Sequence, residues 1–470
     1  MDFTESYHHS ASLVQFSPGA QFLLAALYDT LTVYRSDTLC ISRSWSIDLS
    51  PSPTQTFLQA SSSKSSPSDA SITHIGWSCD SEYILAACAK RGSVHVYKLR
   101  DEQWSRRIDA GAEGLVKAEW APDGRSILCF SEWGIRVTIW SLITKSAVYI
   151  QFPIHPDRGY AFRADGRYFV MAERHKSKDT VGVYDATTSY KLTRHFPLPT
   201  SSLASLALSP TGNYLAVWEG LLEFRVHIVT LTGDKLGSFS PESDPGLGIR
   251  HVTWHPSGTF LAVGGCNDKI YILDSSTWSP AVTLDISSRV PASTIVWREP
   301  LNWLEATFGR GFISYERLQG PLTVPMIRSE QARTSQKSGV AQIEWNTTGS
   351  LLLARVESMP NVIYLYDFPS PQERFSPRLR TVLIHSQPVL QARWNPVRRN
   401  SLVLCCGGQS VYEWSDEWVG ENGIEEEMAE CIGVPTENFN TREVRWAPDG
   451  KGFVLLDKDQ FCCGFEVLSG

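Results

Sequence analysis

The chain has 470 residues, 42% of them hydrophobic and 11% aromatic, with a formal net charge of −7 and a pI near 5.9. That apolar content fits a folded protein, while the acidic balance argues against a general binder of nucleic acid or anionic membrane. The longest apolar runs, Phe22 to Tyr28 and Tyr83 to Ala89, are seven residues, far short of the roughly 18 to 20 that a membrane-spanning helix needs.

Along the chain one phrase recurs: a large apolar residue, Pro two places on, Gly four places on. Its anchors are Phe16, Trp77, Trp120, Phe162, Leu208, Trp254, Trp345, Trp394 and Trp446, in steps of 42 to 61 residues with one double step of 91. A worn copy at Trp297 divides that double step. Alternating apolar residues before each anchor, as in Val116, Ala118 and Trp120, read as a half-buried strand. Pro at 18, 122, 210, 256, 396 and 448 and Gly at 124, 166, 212, 258, 349 and 450 then read as a tight hairpin turn. A second apolar run returns, as in Phe260-Leu261-Ala262-Val263, and a third follows a loop, as in Ile270-Tyr271-Ile272-Leu273. Three or four antiparallel strands per unit predict an all-β propeller of nine or ten blade units over 1–470, closed as one large ring or as two joined rings.

In chain order, Met1-Asp-Phe-Thr-Glu-Ser-Tyr7 has neither a basic patch nor an apolar core, so no secretory signal is expected and the protein is placed inside the cell. The last repeat stops after its third strand, which predicts that Met1–Tyr7 closes the last blade and removes an exposed edge. Residues 50–71, rich in Ser and Pro, are expected to form a disordered loop between blades. Their Ser50-Pro51, Ser52-Pro53 and Ser66-Pro67 pairs read as linker composition or as proline-directed kinase targets. Residues 298–338 are expected to be an irregular blade or a crossover, and 416–430 an acidic surface loop. Ten cysteines without a Cys-x-x-Cys pair fit reduced core residues, and the adjacent pairs Cys405-Cys406 and Cys462-Cys463 should point to opposite sheet faces.

No nucleophile elbow, phosphate loop, dinucleotide fingerprint or His-Glu-x-x-His motif is present. The expectation is a non-enzyme with no cofactor, metal or small-molecule substrate, which works through protein surfaces. His255 reads as a turn residue. The loops between second and third strands carry the candidate contacts: Lys90 and Arg91; Glu132 and Trp133; Glu173, Arg174, His175, Lys176 and Lys178; Trp218, Glu219 and Glu223. Trp and Arg are frequent binding hot spots, so Trp133 and Trp218 lead, although Trp218 extends an apolar strand and also reads as core.

Third strands ending in Tyr184-Asp185, Leu273-Asp274 and Tyr366-Asp367 resemble WD repeats loosely. The strings KRGSVHVYKL (90–99), GLVKAEWAPDGRSIL (114–128), LAVWEGLLEFRVHI (215–228) and GIRHVTWHPSGTFLAVG (248–264), with the opening MDFTESY, resemble the spindle-pole and centrosomal family of WD-repeat-containing protein eight. The resemblance runs from residue 1 to about 468. It implies a microtubule-anchoring adaptor at the spindle pole body or centrosome, bound to a coiled-coil anchoring protein and a minus-end-directed motor of the kinesin-14 class. A ubiquitin-ligase substrate receptor and a translation-initiation propeller scaffold are the alternatives.

Overall fold

Each anchor phrase builds an antiparallel sheet. The computed structural model describes residues 1–47, 71–220, 222–242, 247–326, 339–368, 376–419 and 425–466. Among them, nine blade sheets follow in chain order over 14–46, 74–109, 117–151, 160–197, 203–239, 249–285, 340–384, 391–433 and 443–465. We number them blades 1 to 9 and name the strands of each blade a to d. Strands a of neighbouring blades lie side by side, and strands d, such as Lys191–Pro197, are largely exposed. The sheets therefore stand radially, strand a innermost.

Nine apolar clusters fill the gaps, one between each consecutive pair of blades and the ninth between blades 9 and 1. Every blade thus contacts the next in a single cycle. The blades close as one ring, which settles the choice between one ring and two. At the seam, Asp2–Phe3 and Tyr7–His8 both pair with Gln460–Phe465, the third strand of blade 9. The Tyr7 ring lies 5.5 Å from Phe461 and 5.4 Å from Tyr34 of blade 1, and Arg445 Nη1 donates to the Val14 carbonyl at 2.6 Å.

The anchor does more than fill space. The indole N–H of Trp77, Trp120, Trp254, Trp394 and Trp446 donates to the carbonyl of Gln15, Gly76, Ala207, Glu344 and Arg393, at 3.0–3.2 Å. In every case the acceptor stands one residue before the preceding blade's anchor. Trp345 is the exception: its indole N–H is buried without an acceptor among the described residues, and the ring packs against His255 and Phe368 at 4.8 and 4.7 Å. The position after the anchor closes the turn, as Ser17, Ser78 and Ser209 Oγ and Asn346 Oδ1 accept from the backbone N–H five residues on. His255, at the same position, contacts Ser257 Oγ at 2.6 Å and the Gly349 carbonyl at 3.1 Å across blades 6 and 7, and so serves the turn. Four places after the anchor the backbone is left-handed in every blade but the eighth, whether the residue is Gly124 (φ 62°), Ala20 (55°) or Ser81 (61°). The turn geometry thus outlives the glycine that favours it.

The worn copy at Trp297 is not a tenth blade. Ile295–Arg298 runs parallel to Arg378–Ile384, strand d of blade 7, and Glu316–Gln319 pairs outside it. Phe312–Ser314 pairs with Glu425–Gly433, strand d of blade 8. This excursion therefore bridges the outer edges of two blades, and no hairpin follows Trp297 to make a sheet of its own. Two buried carboxylates dock it. Glu299 accepts from Trp303 Nε1 and Tyr412 Oη at 2.8 Å and from Ser386 N and Oγ at 2.7 Å. Burial opposes its ionisation, but these bonds outweigh it and hold the carboxyl below the usual range. Glu427 accepts from Trp297 Nε1 at 2.8 Å and Thr381 Oγ1 at 2.7 Å.

Three other expectations meet the structure here. Residues 416–430 are not an acidic loop throughout, because Ser410–Val419 and Glu425–Gly433 form a long paired hairpin in which Glu427 is an interior acceptor. Residues 50–71, except Ser71, lie outside the described residues, as do 327–338 of the irregular segment. The adjacent cysteines do divide between faces: Cys405 packs between blades 8 and 9 and Cys406 between 7 and 8, while Cys462 faces blade 8 and Cys463 blade 1.

Deleting residues 1–8 should strip the outer edge of blade 9 and expose Phe461, lowering the calorimetric melting midpoint by several degrees; an unchanged midpoint would contradict the closure. Trp394→Phe should cost about 1–2 kcal/mol in urea denaturation, since it keeps most of the ring but leaves the Glu344 carbonyl without its donor.

Candidate protein-docking site

Antiparallel order sends the b–c turns and the d–a crossings to one end of every sheet and the anchor turns to the other. On the b–c face, Lys90 and Arg91 occupy the one-turn helix Ala89–Arg91 of blade 2, ended by Gly92 at φ 58°. The Gly92 carbonyl accepts from Ala110 N at 2.7 Å, which ties this turn to the crossing into blade 3. That crossing runs beside Glu132, because a side chain at Gly114 would collide with the Glu132 carboxyl.

Next comes Trp133, in a left-handed backbone conformation (φ 61°) and 90% exposed. A tryptophan held in water at a strained position gains nothing from burial, which makes it a candidate contact. Ile135 and Phe152, 41% and 50% exposed, lie beside it. Phe152 donates its N–H to the Ile135 carbonyl at 3.0 Å and accepts from Arg174 N at 2.9 Å. This backbone chain joins the b–c turn of blade 3, the crossing to blade 4 and the b–c hairpin of blade 4.

That hairpin turns on Lys176 and Ser177, both at positive φ as a two-residue hairpin loop requires. Residues 174–178 are all exposed. Its base is fixed by charge: Arg174 donates to Asp179 Oδ1 at 3.0 and 2.8 Å, and the buried Asp179 also accepts from Thr200 Oγ1 and Leu203 N. Glu173, beneath, accepts from Tyr184 Oη at 2.5 Å and lies 3.4 Å from His195 Nε2. Burial pushes its carboxyl up to about 7.

The structure thus gathers Lys90, Arg91, Trp133, Arg174 and Lys176 on one face of three successive blades, with His175 and Lys178 beside them. The acid Glu113 of this tract is taken up by Arg136, leaving Glu132 exposed among the cations. An aromatic and aliphatic centre flanked by cations suits an acidic amphipathic segment. Trp218 and Glu219 do not belong to it. Trp218 is half-buried against the cluster between blades 5 and 6, and Glu219 is buried, accepting from Ser201 N and Ser202 N at 3.1 Å. Both serve the fold. Sequence reasoning missed Ile135, Phe152 and, on the blade 5 turn, Leu222, which is 83% exposed; hydrophobic residues at b–c and d–a positions of the repeat were the available signal. Among the described residues no three His, Cys, Asp or Glu side chains converge as metal ligands.

Glu173→Gln provides a test of the hairpin's base. Because the folded carboxyl titrates near 7 rather than near 4.5, the stability its neutral form contributes is complete below pH 4.5 and is lost as pH rises through 7. The wild type should lose on the order of 2–3 kcal/mol over that interval relative to the variant, read as a difference between their melting curves; identical pH profiles would contradict it.

Comparison with known proteins agrees with the architecture. Residues 223–300 match the family profile of the anaphase-promoting complex subunit 4 WD40 domain. The crystal structure of the C-terminal WD40 domain of Sif2 superposes with a TM-score of 0.50 at 11% identity, covering 92% of this chain and 98% of that one, a likeness of fold alone. A WD repeat-containing protein of Schizosaccharomyces pombe is 22% identical over 75% of this chain and 71% of its own length. The WD repeat-containing protein WRAP73 of Mus musculus is 30% identical over 99% of this chain and 96% of its own. With its nine blades, its anchor turns and this full-length likeness, the chain belongs to the WD-repeat protein family that includes mouse WRAP73.

Proposed function

We propose that this protein is a non-enzymatic adaptor at the microtubule-organising centre, in the cytoplasm at the spindle pole body or centrosome. Its b–c face captures a coiled-coil anchoring protein and, with it, a kinesin-14 class motor, and so tethers microtubule minus ends to the pole. The observation that carries the adaptor reading is the exposed Trp133 centre ringed by Lys90, Arg174, Lys176 and Lys178 on a rigid ring. A preformed surface loses little conformational entropy on binding, and an amphipathic helix with acidic flanks supplies the complementary charge. The pole assignment is supported by the strings at 90–99, 114–128, 215–228 and 248–264, which resemble the spindle-pole family across loop residues that a propeller leaves free.

Trp133→Ala combined with Lys176→Glu and Lys178→Glu should leave the melting midpoint within about 2 °C, since all three side chains are exposed. It should reduce capture of the anchoring protein at least tenfold and disperse that protein from the pole. Normal capture and localisation with the triple variant would overturn the assignment of this face; normal localisation after depletion of the whole protein would overturn the adaptor reading.

A further inference from the structure

At the rim between blades 8 and 9 lies a cleft of about 910 Å3, far round the ring from the Trp133 face. Its floor is built from strands c and d of blade 8, and its walls include Phe3 of the N-terminal strand and Phe312 of the excursion. Phe312 is 67% exposed, an aromatic ring left in water at the mouth.

The floor carries an unbalanced charge. Glu413 and Glu430 stand directly opposite each other on adjacent strands, a like-charge arrangement that destabilises a sheet. Glu413 is only 4% exposed. It accepts a hydrogen bond from Ser401 Oγ at 3.5 Å and forms no ion pair among the described residues. Burial pushes its carboxyl up to about 7, with Glu466 and Glu430 adding to the shift while Arg398 and the Met1 ammonium offset part of it. Arg398 is itself committed to Glu466, which it grips through both guanidinium nitrogens. On the same wall the Trp418 indole N–H is buried with no acceptor among the described residues. A buried carboxylate with no ion pair and one weak hydrogen bond among the described residues is costly, whereas the carboxylates Glu299 and Glu427 are bonded to named donors throughout.

We propose that this cleft is a second docking site, which receives an arginine side chain from an extended segment of a partner protein. The planar guanidinium fork can engage Glu413 and Glu430 together, since directly opposed side chains on paired strands have Cβ atoms about 5 Å apart. Arginine also stacks on indole faces, as Trp418 offers, whereas a lysine ammonium would reach one carboxylate at a time. An apolar neighbour of that arginine covers Phe312 and Phe3. The partner's being a protein rests on the adaptor reading; the site itself rests on the cleft. With two docking regions on well-separated blades, one ring holds two partners at once.

The test uses the purified full chain and a positional-scanning decapeptide library, in which one residue is fixed at a time, read by fluorescence anisotropy. Selection for arginine at one position, at least tenfold weaker binding of that peptide pool to Glu413→Gln, weaker binding to Phe312→Ala, and wild-type binding to the exposed control Asp37→Asn are the expected results. No selection for arginine, undiminished binding to Glu413→Gln, or an equal loss with Asp37→Asn would overturn the proposal. Glu413→Gln removes an uncompensated buried charge without changing shape, so its melting midpoint at pH 7.5 should equal or exceed that of the wild type; a marked fall would show that the carboxylate serves the fold and would equally overturn it. Because no pole or anchoring protein enters the assay, failure here is distinguishable from failure of the adaptor reading.

Discussion

The packing of each anchor against the blade before it, locked at five junctions by an indole N–H to the preceding strand's backbone, is the constraint on which the rest of the ring depends. A blade buries little by itself, since both of its faces need a neighbour, and one missing neighbour would leave a whole apolar face in water. Apolar contact alone is non-directional. The indole N–H adds direction: it fixes which carbonyl of the preceding strand a the next blade must meet, and hence the stagger from blade to blade. With five junctions fixed in this way and all nine filled by apolar clusters, blade 9 comes back to blade 1, where Arg445 reaches the Val14 carbonyl and the N-terminal strands complete the sheet.

Much of this was legible in the residues. The spacing of Trp120, Pro122 and Gly124 encodes a strand, a turn and a left-handed residue, and the structure has that order. Trp297 was misleading because periodicity records where a large apolar residue stands, not what it faces: its indole bonds Glu427 on blade 8 rather than a strand-a carbonyl. The acidic run at 416–430 was misleading for a related reason. Composition suggests solvation, but Glu427 points inward to Trp297 and Thr381, and only the register of the hairpin separates inward from outward carboxylates. Among the surface residues, Trp133 stood out in sequence because it falls in a turn, whereas Trp218 differs only in lying a few residues earlier in its unit, inside strand b.

The same stiffness that closes the ring shapes what it can do. Turn residues such as Trp133 and Lys176 adopt strained left-handed backbone conformations because the strands beneath them are held by pairing and burial. The result is a surface whose geometry exists before any partner arrives. A cation-flanked aromatic centre on blades 2 to 4 and an acidic cleft between blades 8 and 9 have opposite electrostatic character, so as docking sites they would select different partners. That division is what the proposed adaptor role would require.

Crosslinking mass spectrometry of the chain purified with its cellular partners tests the central claim, that the b–c face is where a partner binds, most directly. The account predicts inter-protein crosslinks concentrated on Lys90, Lys176 and Lys178. Crosslinks confined to Lys145 and Lys451, which lie at the opposite ends of their sheets, would contradict it.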